Sequence, residues 1–98
     1  MLPAITSIAE TPGARKTEAT QFEIVSHHVC DLVTVSDRSA MRALVEIPEI
    51  EKRLTEPAAS CSVAALIEGK IPVTPEENIV VVLCGANFRL DALCTLRW

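Results

Sequence analysis

Ninety-eight residues, 49% apolar and 22% charged, describe one folded unit rather than a disordered or fibrous chain. A formal net charge of −4 offers nucleic acid or an anionic membrane surface nothing to hold. No basic residue precedes an apolar segment at the start and no apolar run reaches bilayer-spanning length, so the expectation is a cytoplasmic protein without a membrane partner.

Residues 1–13 form a short helical candidate with Ile5, Ile8 and Ala9 on one stripe, ended by Pro12-Gly13. A second amphipathic pattern over 17–29 runs through Ala19, Phe22, Val25 and Val29, with His27 and His28 in its last turn. Leu32-Val33-Thr34-Val35 reads as a short strand and Ser36 as the N-cap of the next helix. That helix, over 37–54, carries Ala40, Ala43, Leu44, Ile47, Ile50 and Leu54 at helical spacing. Pro48 falls inside it, and the missing N–H predicts a kink or two shorter helices. The charges between Glu46 and Arg53 read as a solvated face.

Glu56-Pro57 opens a further helix that Gly69 closes. Its early turns are crowded with Ala58, Ala59, Ser60, Cys61, Ser62, Ala64 and Ala65, a face that another element can approach closely. Thr74-Pro75-Glu76-Glu77 is a turn leading into Ile79-Val80-Val81-Val82-Leu83. Five consecutive apolar residues, four of them β-branched, predict a strand buried on both faces, as in a parallel sheet covered by helices. Cys84-Gly85-Ala86-Asn87 then occupies the strand-to-helix turn where α/β sheets place ligands. Gly85 permits a positive φ, and Asn87 is an N-cap for a helix carrying Leu90, Leu93, Cys94 and Leu96. Pattern alone reads Cys84 first as a small packed hydrophobe.

Cys30, Cys61, Cys84 and Cys94 are irregularly spaced with no Cys-x-x-Cys pair, which favours reduced thiols over a disulfide scaffold. Adjacent His27 and His28 do not complete a zinc spacing, so no metal site is assigned.

Three blocks in order resemble the C-terminal part of the pyridoxal-phosphate-dependent serine and threonine dehydratases (ammonia-lyases), of the tryptophan-synthase-β-like, fold type II group. They are Leu2-Pro3-Ala4-Ile5-Thr6-Ser7-Ile8-Ala9, Leu54-Thr55-Glu56-Pro57-Ala58 with the helix to Gly69, and Val80-Val81-Val82-Leu83-Cys84-Gly85-Ala86-Asn87. The resemblance implies an α/β fold class. Residues 1–98 would be a single partial domain, cut from the parallel-sheet, helix-covered large domain. It implies pyridoxal phosphate as cofactor, with Cys84 facing the ring nitrogen, Glu56 close beneath the cofactor, and Gly85, Ala86 and Asn87 shaping the pocket floor. The implied reaction is deamination of L-serine or L-threonine to a 2-oxo acid.

Departures accompany the likeness. Ser60 stands where these enzymes commonly have Gly, and Pro12 and Pro48 stand where they tend to carry helix formers. The family's Ser-x-Lys-x-Arg-Gly type motif and glycine-rich phosphate loop do not occur in this sequence. Lys16, Lys52 and Lys70 stand in other contexts, and the three glycines are never adjacent. The reading is therefore a truncated dehydratase segment that is inactive alone, assigns no catalytic residue, and meets an amino-acid substrate only within the complete enzyme. The alternative is an interaction module that pairs with a full-length homologue or with itself.

Overall fold

A computed structural model describes residues 4, 6–9, 16–85, 88, 89, 91 and 94. Among these lie three helices, α1 (Ala19–His28), α2 (Asp37–Glu51) and α3 (Pro57–Ile67). The centre of the structure is the α2–α3 pair; α1 packs on neither helix and buries none of its residues.

Helix α2 begins where the sequence signals it. The backbone N–H of Ser39 donates to Ser36 Oγ at 3.1 Å, satisfying one of the free donors of the first turn, and Asp37 places its charge at the positive end of the helix dipole. Ala40, Met41, Ala43, Leu44 and Ile47 form its buried stripe. The expected break at Pro48 does not divide the helix, which continues to Glu51. The proline lies within a turn of the end, so its missing N–H costs one bond near a terminus. Lys52 then stops the helix in the left-handed region, φ 57°, donating its N–H to Pro48 O (3.1 Å) and its ammonium to Glu49 O (2.6 Å).

Helix α3 has Pro57 in its first turn, where the absent N–H would be unpaired anyway. Its small residues allow α2 to approach closely: Ala59, Ser60, Ala64 and Ala65 are buried. Gly69, at φ 65°, turns the chain away, and Gly69 and Lys70 donate their N–H groups to Leu66 O and Ala65 O. Sequence and structure also agree on the turn at 74–77, closed by Glu77 N–H to Thr74 O at 3.1 Å.

The α/β fold class is overturned: no strand or sheet occurs among the described residues. Residues 32–35 are irregular instead of a strand. Residues 79–83 pair with no other backbone among the described residues, and instead of being buried on both faces they leave Val80 88% and Val82 70% exposed. β-Branching shows what kind of packing a segment suits, but a strand exists only when a second backbone supplies the ladder. No described segment does so here. The helix expected over 1–13 fails where it can be judged, since residues 6–9 are non-helical; its remainder lies mostly outside the described residues. Of the last expected helix, Asp91 and Cys94 are helical, and Asn87, Leu90, Leu93 and Leu96 lie outside them. Among the described residues, no helix is long and apolar enough to cross a membrane.

Candidate functional site

The two blocks that carry the proposed site residues meet in space. Glu56, directly before α3, donates its backbone N–H to Gly85 O at 3.2 Å. Gly85 adopts φ 77°, and a Cβ there would stand 2.5 and 2.6 Å from the Glu56 carboxylate oxygens. The left-handed backbone favours glycine, and a larger residue would also have to displace the tip of the Glu56 side chain. A turn and a helix start separated by nearly thirty residues are thus fitted against each other.

Glu56 is only 7% exposed, yet its carboxylate accepts no hydrogen bond among the described residues. Among the described residues no fully enclosed polar side-chain atom goes without a partner. Cys84 is exposed and unpaired, so the packed-hydrophobe reading does not hold. Ala86 and Asn87 lie outside the described residues. The structure therefore brings Glu56 against Gly85 and leaves Cys84, the residue before Gly85, exposed.

All four cysteines are free. Burial, with the Asp37 charge as the second influence, pushes the Cys61 thiol up. A hydrogen bond with the backbone opposes the shift, and Sγ lies 3.3 Å from Pro57 O. Among the described residues no cluster of three His, Cys, Asp or Glu side chains could hold a metal ion. His27 Nδ1 is 2.8 Å from Glu23 O on its own helix, a geometry served by a proton on that nitrogen.

Two supporting residues escaped the sequence reading. Ser60, fully buried, has its hydroxyl 2.7 Å from Ala40 O on α2 and 2.8 Å from Pro57 O, and shares one proton between them. A serine within an alanine-rich helix face was the available signal. Asp37 accepts from Ser7 Oγ at 2.6 Å and from Ile8 N–H at 3.3 Å, tying residues 7 and 8 to the start of α2. It could be read only as a first-turn charge, because its partners lie about thirty positions away. At the far end of α3, hydrogen bonding from Ser39 is the largest influence on Glu68. With Ser36 and the Lys70 charge it holds that carboxyl below the usual range, against desolvation.

Comparison with known proteins supplies the context. The L-serine dehydratase/L-threonine deaminase of Bos taurus is 34% identical over 106 residues, covering 98% of this chain and 32% of the relative. The human protein of the same name is 31% identical with the same coverage. This chain is homologous to a segment of the serine/threonine dehydratases. The phenylserine dehydratase of Ralstonia pickettii extends the likeness to bacteria, at 37% identity over 84 residues, 83% of this chain and 25% of the relative. The chain spans about a third of the length of the curated dehydratases it matches. No protein-family model matches it, and no solved structure does.

Proposed function

We propose that this chain contributes part of the cofactor pocket of a pyridoxal-phosphate-dependent dehydratase that deaminates L-serine or L-threonine to a 2-oxo acid. The observation that carries the reading is the buried Glu56, whose carboxylate has no hydrogen-bond partner among the described residues, fitted against the bare backbone of Gly85. These residues suit a flat heteroaromatic group. Gly85 keeps side-chain bulk out of the turn, Glu56 presents a carboxylate from a fixed backbone position, and Cys84 has a free thiol able to hydrogen-bond a ring nitrogen. Ala86 and Asn87 would complete the floor. Pyridoxal phosphate, when bound, supplies the electron sink for loss of the β-hydroxyl and then of ammonia.

The same reading makes the 98 residues inactive alone. Lys16, Lys52 and Lys70 are exposed, and the Lys52 ammonium is engaged by the C-terminal turn of its own helix. Incubation with pyridoxal phosphate and L-serine should give no 2-oxo acid and no borohydride-fixed adduct on one lysine; production of pyruvate would refute inactivity. A chimera in which this sequence replaces the matched third of the bovine relative tests the pocket. It should bind pyridoxal phosphate and deaminate serine, and a folded chimera unable to bind the cofactor would sink the reading.

A further inference from the structure

Helix α3 contributes only small residues to its pairing with α2: Pro57, Ala59, Ser60, Ala64 and Ala65 are its buried positions. A face of this kind has shallow ridges and grooves, so apolar packing alone leaves the sliding and rotation of α3 on α2 weakly determined. One directional contact lies inside that face. Ser60, fully buried, sets its hydroxyl 2.7 Å from Ala40 O on α2 and 2.8 Å from Pro57 O. Both carbonyls lie within helices and serve their own i+4 ladders, so neither needs this proton to be satisfied. What the hydroxyl adds is direction, because a single buried polar group can fix a register that apolar contacts leave free.

Ser60 is also one bond away from the candidate site. Its N–H donates to Glu56 O at 3.3 Å, beside Ala59 N–H at 3.0 Å, and the buried Thr55 donates Oγ1–H to the same carbonyl at 3.1 Å. On its other side Glu56 donates its N–H to Gly85 O. Glu56 is thus held between the first turn of α3 and the turn at Gly85, and a shift of α3 along α2 would carry its carboxylate across that turn. At the other end of the pair Ser36 Oγ donates to Glu68 Oε1 at 3.2 Å, but this tie is exposed to competition from water. We propose that Ser60 is a positioning residue: its bond to Ala40 O fixes the register of α3 on α2 and so sets where the Glu56 carboxylate stands against Gly85. The consequence for cofactor binding rests on the pocket proposed above.

Amide hydrogen exchange in the 98-residue chain reads the geometry. Ser60→Ala should speed exchange of Glu56 N–H at least about fivefold more than that of Glu68 N–H, which is bonded to Ala64 O at the far end of α3. Ala64→Gly loosens the same buried face by a comparable amount and should reverse that order. In the chimera with the bovine dehydratase, Ser60→Ala should raise the Kd for pyridoxal phosphate at least about fivefold, while Ala64→Gly should stay within about twofold of the parent. Equal acceleration of the two amides by Ser60→Ala, or equal weakening of cofactor binding by the two variants, would overturn the positioning role and leave the pocket reading intact. A folded parent chimera that binds no cofactor removes the pocket reading itself, and the role of Ser60 in it.

Discussion

The α2–α3 pair, whose first helix is rich in charge, and the uncharged, valine-rich residues 78–85 reach outcomes opposite to their hydropathy. Each helix satisfies its own backbone and needs a neighbour only for one stripe, which the other provides: Leu44 is 3% exposed and Ser60 fully buried. The valine-rich segment cannot satisfy its backbone from within, so its side chains remain in water however apolar they are. Burial in this molecule follows the availability of a partner backbone more closely than it follows hydropathy.

Substitutions should expose that asymmetry. Leu44→Ala removes packing from the helical pair and should lower unfolding free energy by about 3 kcal/mol in urea titration. Val80→Ala should change it by no more than about 0.5 kcal/mol. Equal losses at the two positions would abolish the contrast. Gly85→Ala probes a place where the valine-rich segment is fitted to the start of α3. A left-handed alanine pressed on Glu56 should cost about 2 kcal/mol. Adding Glu56→Ala should recover at least about 1 kcal/mol of that loss, because the two positions share one clash.

Ser60→Ala deletes the buried hydroxyl between the helices and should cost about 1 kcal/mol. An unchanged midpoint would show the bond to Ala40 O to be dispensable. Cys61 should be alkylated more slowly than Cys30, Cys84 and Cys94 at mildly alkaline pH, as read by peptide mass spectrometry, since burial holds its thiol protonated. Its folded pKa is raised, so its contribution to stability is full below the ordinary thiol range and fades as pH climbs through the raised value. Glu68 behaves in the reverse sense. Its pKa is lowered, so its contribution is present above the ordinary carboxylate range and lost as pH falls through the lowered value. Ser39→Ala should move the Glu68 titration upward in an NMR pH series.

Much of the helical half was legible in the residues. Ser36 as cap, Pro57 in the first turn, Gly69 as stop and the stripe from Ala40 to Ile47 are local signals, read within one or two turns and expressed within the same distance. The dehydratase likeness was legible too, read from three short blocks in order, and relatives of that name match 98% of the chain. The strands at 32–35 and 79–83 were misread because a run of β-branched residues states a preference and contains no information about whether a second strand stands beside it. Of the site, Glu56, Cys84 and Gly85 were named from the resemblance. That Gly85 is packed against Glu56 could not be read from either block, since nothing local to one mentions the other.

Short-range physics, then, decided the helices, their ends and the kinship of the chain, because capping, periodicity and motif order are properties of neighbouring residues. Contacts across the chain decided which apolar residues are enclosed, which serine joins two helices and which side chain stands against Gly85. Those outcomes depend on which distant backbones come within hydrogen-bonding reach, and no stretch of residues encodes that alone.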